Sequence, residues 1–299
     1  MKAYYYTAKE CGLDKLPDGP LALDDARIPR TTDPSEADVF VCPVMIHHMG
    51  SMQGRGHCDL TKLKRLPYLN GNESRHVFWN VGDTFLTELP PESIAIRCDA
   101  TKDLKRVNPR THCLPWPAPN ASISGKHTKR FDVSFIGWAS TEMTKVMCES
   151  CLNAGLRCDI ELHDWFYGYV ERDDPQRAKA AWERYTQSLS QSIFALSPRS
   201  IPEGVIRYRF FEAMSAGVIP VLAGDGTLLP FDLPWDRLCI QIPERDINRT
   251  GEILKQRLSC PVDIASMSHW TRKAWENHID SRHWREKCTD IVLAEMGDE

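Results

Sequence analysis

The clearest hydrophobic pattern in the chain covers residues 192–222. An apolar run over 193–196 predicts a strand buried on both faces, and the turn-forming residues of 197–204 predict a loop after it. Apolar residues then recur at i, i+4, i+7 and i+11, which predicts a helix over 205–216 that a glycine ends. The apolar run over 218–222 predicts a second buried strand. Strand, helix and strand form a βαβ unit, and ligands of such units bind beyond the carboxyl ends of the strands.

Two charged residues share one side of this predicted helix. At about 100° per residue, Arg209 lies to one side of the apolar stripe and Glu212 lies further round on the same side, whereas Arg207 falls on the opposite flank. An arginine and the amino end of a helix suit phosphate oxygens, and a carboxylate suits a pair of sugar hydroxyls. The same spacing also fits an i,i+3 ion pair on the surface, so both interpretations remain open from the spacing alone.

The rest of the pattern predicts an α/β protein with two domains. Runs of strand type occur at 2–6, 39–43, 76–79, 94–97 and 131–137, and helical patterns cover 141–154, 177–190 and about 264–296. Residues 108–129 are rich in Pro, Ser, His and Asn, which indicates a linker between the domains.

Composition adds few constraints. The chain has 299 residues, a hydrophobic fraction of 42% and a formal net charge of −4, which suit two globular domains of ordinary size. No basic block is visible, so we expect no nucleic-acid partner.

The cysteine count is odd, so the eleven cysteines cannot form a complete set of disulfides. Cys148 and Cys151 stand as C-x-x-C without a second such pair, which favours free thiols in a reducing cytosol over a zinc or redox site.

Residues 192–222 resemble the signature of the exostosin-type glycosyltransferases (glycosyltransferase family 47). That signature has a strand, an S-P-x loop, an arginine three residues before Glu-Ala, and then x-x-x-G-x-I-P-V, which Arg209, Glu212, Ala213, Gly217 and 219–221 match. Further stretches that are similar to the family are 32–43, 76–83, 229–231 with Trp235, and 242–254. One departure is Arg207, where the family often has a serine or another small residue.

The resemblance implies a GT-B architecture, in which two Rossmann-like domains face a cleft and a C-terminal helix returns to the first domain. It implies an acceptor domain at 1–125, a nucleotide-sugar domain at 126–270 and the returning helix at 271–299. The expected reaction is inverting transfer of a sugar from a nucleotide-sugar, with UDP as the expected nucleotide, to a hydroxyl of a glycan acceptor. No cofactor or divalent metal is expected to be required. The alternatives are a GDP-sugar enzyme of fucosyltransferase type and a non-catalytic member that binds glycan or nucleotide.

The residues expected to bind the donor are grouped around the predicted loop and helix. Glu212 is assigned to the ribose hydroxyls, and the others are assigned to the diphosphate. The diphosphate set is Arg209, Arg199, Ser197, Gly204 and Gly137. Gly137 is included because it ends the strand predicted at 131–137, although an ordinary strand-to-helix turn would also explain it.

The catalytic base is expected in the first domain, and the candidates are Asp83 and His48. Asp83 follows the strand predicted at 76–79, and the resemblance points to that position, although a turn aspartate that caps a helix fits equally well. His48, beside His47, follows the run that begins at 39. The histidines of 47–58 do not have a trusted zinc spacing and suit an acceptor-side loop better.

Many animal and plant exostosins are anchored in the Golgi by an amino-terminal helix. No run of about 18 apolar residues occurs in this sequence, so we expect no transmembrane segment. The expected location is therefore the cytoplasm, or the Golgi lumen if an N-terminal anchor has been removed.

Overall fold

The computed structural model describes residues 1–16, 21–45, 63–80, 89–98, 100–115, 118–123, 127–139, 141–165, 173–199 and 206–297. Within these residues the chain forms two separate parallel sheets, one from each half of the sequence, with helices packed on them. The α/β class predicted from the sequence is therefore confirmed.

The first sheet has six strands in the order β2-β1-β3-β4-β5-β6, and all neighbours run parallel. Its elements are β1 (Ala3–Tyr5), β2 (Arg30–Thr31), β3 (Val39–Met45), β4 (His76–Asn80), β5 (Ile94–Arg97), α1 (Lys102–Val107) and β6 (Thr111–Cys113). Successive residues of β4 belong to opposite faces, since Phe78 lies in one apolar cluster and Trp79 in another. Both faces are covered, which explains why the strands are continuous apolar runs.

The second sheet has five parallel strands in the order β11-β10-β9-β7-β8. These are β7 (Phe131–Trp138), β8 (Cys158–His163), β9 (Ser192–Pro198), β10 (Ile219–Ala223) and β11 (Ile240–Ile242). The chain passes from β7 to one neighbour, β8, and then crosses to the other, β9. The order therefore reverses between β7 and β9, the kind of position where ligands bind in open α/β sheets.

In the described part of the second domain, five helices accompany the sheet. They are α2 (Glu142–Asn153), α3 (Pro175–Ser190), α4 (Tyr208–Ser215), α5 (Thr250–Leu258) and α6 (Pro261–Ala274). The hydroxyl of Thr141 caps α2, and the carboxylate of Asp174 caps α3, whose first residue is a proline. Gly217 follows α4 with φ of 65°, in the left-handed region where glycine ends helices.

The predicted linker over 108–129 is wrong in its first part. Thr111–Cys113 forms the sixth strand of the first sheet and pairs with β5. Further along, the buried backbone amide of Ala121 donates to the Ser215 hydroxyl at 2.8 Å, so this stretch already packs on the second domain. A three-residue strand inside a polar, proline-rich segment has too few apolar positions to show a period.

The end of the chain returns to the first domain, as expected. After α6, a π-helical turn (Trp275–Ile279) leads to α7 (Trp284–Gly297). Trp284, Cys288 and Val292 are buried in the same cluster as Val39 and Trp79 of the first sheet. The expected boundary at residue 270 falls inside α6 rather than between elements. In the described part of the chain, no helix is both long and apolar enough to cross a bilayer.

The two domains also meet through their backbones. The amide of Leu228 donates to the carbonyl of Ala100 at 3.1 Å, and the amide of Lys102 donates to the carbonyl of Gly226 at 2.9 Å. An apolar cluster continues across this junction and includes Ala100 from the first domain and Trp235 from the second. These contacts join the domains beside the segment that follows β10.

Candidate functional site

Several predicted site residues lie at one edge of the second sheet. Gly137 is near the end of β7, and Ser197 is near the end of β9. Because the two strands pair in parallel, their carboxyl ends meet at the same edge, at the reversal of strand order. Arg199 follows β9 there, so the structure brings these three positions together.

Arg209 reaches this edge from the first turn of α4. Its Nη1 donates to the carbonyl of Ile136 at 3.1 Å, and its guanidinium carbon lies 4.4 Å from the centre of the Phe135 ring. Gly137 has φ of 146°, and a Cβ at that position would overlap the Arg209 Nη2 atom. The arginine can therefore lie across the end of β7 only because residue 137 has no side chain.

Glu212, one turn later on α4, is only 9% exposed. Burial raises its pKa above the ordinary value, whereas the Tyr185 hydroxyl and the Arg209 guanidinium act in the opposite direction and favour the charged form. Tyr185 belongs to α3, and its ring centre lies 5.7 Å from the Arg209 guanidinium carbon. Glu212 is buried and Arg209 and Tyr185 are half-buried, so the three side chains form one cluster beneath the edge of the sheet. Sequence reasoning missed Tyr185, because nothing in the pattern of α3 shows which residue meets α4.

The expected placement of Arg207 is wrong. Helix α4 begins at Tyr208, not at 205, and Arg207 is the extended residue before it, with φ of −75° and ψ of 153°. Because Arg207 is not part of the helix, a helical wheel does not predict the direction of its side chain. Its Nη1 donates to the carbonyl of Trp138 at 3.4 Å, so Arg207 and Arg209 both contact the end of β7.

Arg199 forms a two-point ion pair with Glu244, which follows β11. The distances are 2.5 Å from Nε to Oε1 and 2.6 Å from Nη2 to Oε2. These bonds hold the pKa of Glu244 below its ordinary value, despite partial burial. Glu244 also accepts the amide of Asp225 at 3.0 Å. The charge of Arg199 is thus largely balanced inside the protein, a pairing that the sequence did not suggest.

Ser197 is 2% exposed, and its hydroxyl makes no hydrogen bond with the described residues. A buried hydroxyl in that state is uncommon, and it lies at the edge where the site is expected. Gly204 belongs to 200–205, which lies outside the described residues.

The two candidates for the base, Asp83 and His48, also lie outside the described residues. The structure does show the strands that precede them. His48 follows β3 and Asp83 follows β4, and both strands end at the same edge of the first sheet. The assignment of the base stays a prediction.

Aromatic side chains flank the site on the β8 side. Trp138 is 37% exposed and pairs in register with His163. The His163 ring stacks on Trp165 at 4.3 Å between centroids, and the Arg177 guanidinium carbon lies 4.7 Å from the centre of the Trp165 ring. Flat surfaces of this kind suit sugar or base rings.

The C-x-x-C pair belongs to the core of the second domain. Cys148 and Cys151 are buried in the core between α2 and the sheet, and burial raises the pKa of Cys148 to about 12. The described residues contain no group of three or more His, Cys, Asp or Glu side chains placed to hold a metal ion.

The part of the chain that contains these site residues matches a known protein family. Residues 124–257 match the family described as the Exostosin GT47 domain. Exostosin-1 of Drosophila melanogaster is 33% identical over 100 residues, which are 32% of this chain and 12% of that protein. The probable glucuronoxylan glucuronosyltransferase IRX7 of Arabidopsis thaliana is 31% identical over 91 residues, 30% of this chain and 19% of that protein. The match thus spans less than a quarter of either relative.

The fold also has counterparts among solved structures. Anabaena Alr3699/HepE, crystallised in complex with UDP and glucose, aligns with a TM-score of 0.50 and 11% identity over 87% of this chain and 78% of that one. At this identity the likeness concerns the fold, which is of the GT-B type that the sequence predicted.

Proposed function

We propose that this chain, whose residues 124–257 form an exostosin GT47 domain within a GT-B fold, transfers a sugar from a UDP-sugar to a glycan hydroxyl with inversion. The observation that supports the proposal best is the placement of Arg209. It lies across the end of β7, over a glycine that leaves room for it, at the reversal of strand order. The names of the relatives, which include glucuronosyltransferases, favour a UDP-sugar as the donor.

The diphosphate is the group that most needs stabilisation, because negative charge develops on it as the glycosidic bond to the nucleotide breaks. We assign Arg209 to its oxygens, with Arg207 from the same end of α4 as a second cation. The hydroxyl of Ser197, at the end of β9, is proposed as a further donor; it is buried and makes no hydrogen bond with the described residues. Fixed donors of this kind stabilise a developing charge without reorganising. The proposal therefore requires no divalent metal.

Glu212 is assigned to the ribose. An ionised carboxylate can accept hydrogen bonds from both ribose hydroxyls, and the nearby Arg209 charge and Tyr185 hydroxyl favour that ionised form. Its position one turn after Arg209 places the sugar of the nucleotide beside the diphosphate.

The acceptor would bind across the cleft, against the first domain. Inversion requires a base that takes the proton from the acceptor hydroxyl as it attacks the anomeric carbon from the face opposite the leaving diphosphate. We propose Asp83 or His48 for this role, since in the sequence His48 comes soon after β3 and Asp83 soon after β4.

The test is a panel of UDP- and GDP-sugars, with donor hydrolysis and transfer to oligosaccharides as readouts. We expect turnover of a UDP-sugar, and Arg209→Gln should lower kcat/KM about 100-fold. Arg249→Gln is the matched control, because it removes the same charge from an exposed position of the same domain. Turnover of GDP-sugars alone would reverse the donor assignment. Binding of UDP without hydrolysis or transfer would instead support a non-catalytic protein.

A further inference from the structure

Of the cluster formed by Arg209, Glu212 and Tyr185, the proposed function has not used Tyr185. It lies on α3, and its hydroxyl is buried without a well-formed hydrogen bond to any described residue. The hydroxyl faces the Glu212 carboxylate, and the ring faces the Arg209 guanidinium at 5.7 Å. One side chain from a separate helix thus lies beside both charged residues of α4.

We propose that Tyr185 is a positioning residue of the nucleotide site, with its hydroxyl directing the Glu212 carboxylate and its ring supporting the Arg209 guanidinium. This inference rests on the proposed function, because it assumes that the two charged residues bind the nucleotide. Tyr185 itself would not touch the ligand. It acts through the residues that do.

The burial of this hydroxyl supports the proposal. A buried hydroxyl without a good partner makes the folded state less stable, and a phenylalanine of nearly the same shape would avoid that penalty. Local features that weaken a fold are expected where binding or chemistry needs them. The hydroxyl of Tyr185 is such a feature, and the carboxylate that it faces is the group that the ribose would engage.

The charge on Glu212 supports the proposal from a second direction. Two groups face this carboxylate, the Tyr185 hydroxyl from α3 and the Arg209 guanidinium from its own helix, and both lower its pKa against the effect of burial. The thiol of Cys148, on α2, also lies within range of the Arg209 charge. If the Tyr185 hydroxyl is removed, the pKa of Glu212 rises further. Glu212 then becomes protonated, and loses its ability to accept two hydrogen bonds, at a higher pH than before.

The experiment compares Tyr185→Phe with the wild-type protein. UDP affinity is measured by calorimetry at pH 6, 7 and 8, and stability is measured by thermal unfolding. We expect UDP binding about tenfold weaker at pH 7, because the Glu212 carboxylate is then less well oriented and less often ionised. We expect a steeper loss of affinity toward pH 6, and an unfolding temperature that is unchanged or higher. A merely structural residue would not combine weaker binding with undiminished stability.

Tyr4→Phe is the matched control, because the Tyr4 hydroxyl donates to Glu10 at 2.9 Å in the other domain. It should leave UDP binding unchanged. Glu212→Gln provides a second test, since Tyr185→Phe should add little in that background and should no longer change the pH dependence. Equal affinity and equal pH dependence of wild type and Tyr185→Phe would overturn this inference. A wild-type protein that fails to bind UDP would overturn the proposed function instead.

Discussion

At the scale of single residues, Gly137 and Arg209 form a unit, although they are far apart in the sequence. The arginine occupies the space that a Cβ at residue 137 would need, and the φ of 146° at this glycine is itself rare for other residues. The cation that we propose for the diphosphate is therefore held in place by the absence of a side chain on a neighbouring strand.

Gly137→Ala should displace the Arg209 guanidinium from the end of β7. We expect UDP affinity to fall at least about tenfold, the loss that accompanies a misplaced charged hydrogen bond, measured by calorimetry. Gly155→Ala is the control, because Gly155 also has a positive φ, of 72°, but a Cβ there meets no atom within 4 Å. If both variants bind UDP equally well, the guanidinium is not held by residue 137 in the way described.

Some individual residues of the candidate site could be predicted from the sequence, and others could not. Arg209 and Glu212 were predicted because they lie three residues apart in one helix, where spacing alone fixes their common side. Tyr185 and Glu244 were missed, because each meets the site from an element remote in the sequence. Arg207 was misplaced because its direction depended on where the helix begins, and the ends of helices are poorly marked in a sequence.

At the scale of elements, α5 packs unusually close to α2. The amide of Gly251 donates to the Ser150 hydroxyl at 3.0 Å, and that hydroxyl donates to the carbonyl of Asn248 at 2.7 Å. A Cβ on Gly251 would overlap the Ser150 carbonyl oxygen and crowd Ala154. The approach of the two helices therefore depends on this glycine.

Gly251→Ala should destabilise the second domain, although alanine is the better helix former. Overpacking costs about 1–3 kcal/mol, more than the gain of up to about 1 kcal/mol in helix propensity. Denaturant unfolding would show a lower midpoint. Gly297→Ala in the last turn of α7, where a Cβ meets nothing within 4 Å, should show no such loss. A more stable Gly251→Ala protein would mean that α5 can shift away from α2 without cost.

At the scale of the whole molecule, α7 is attached to the first domain by charge as well as by apolar burial. Arg110 Nε donates to Glu295 at 2.7 Å, and His112 Nε2 lies 2.6 Å from the other carboxylate oxygen. Burial alone would raise the pKa of Glu295, but the bonds from Arg110 and His112 outweigh it and hold the pKa below its ordinary value. Burial lowers the pKa of His112, and Glu295 offsets this only in part.

Both shifts make the protein less stable in acid. A carboxylate with a lowered pKa stabilises the fold above the pKa of the unfolded chain, and loses that contribution as pH falls through its folded value. A histidine with a lowered pKa stabilises the fold above about pH 6.5 and loses that contribution as pH falls below it. The free energy of unfolding should therefore decrease between pH 7 and pH 4.

Glu295→Gln should lower the free energy of unfolding by about 1–3 kcal/mol at pH 7. The difference from wild type should disappear in acid, where the wild-type carboxylate is also neutral. Denaturant unfolding as a function of pH measures both. Glu286→Gln, which neutralises an exposed carboxylate of the same helix, is the control. Parallel pH curves for wild type and Glu295→Gln would show that Glu295 does not contribute in this way.

The architecture as a whole was largely predictable. Strands buried on both faces produce continuous apolar runs, and the alternation of such runs with helical periods indicates parallel sheets. The boundary between the domains was harder to predict, because β6 is three residues long and lies in a segment that resembles a linker. Short elements carry too little pattern, and they are recognised only through the strand with which they pair.

The return of α7 has a consequence for how the protein is made. The core of the first domain includes Trp284, Cys288 and Val292, whereas the core of the second domain needs no residue beyond α6 and the turn that follows it. During synthesis, the amino-terminal part of a chain emerges from the ribosome first. The half of the protein that emerges first therefore cannot complete its core until the ribosome has translated past Val292, and the second domain has all of its core residues available before the first.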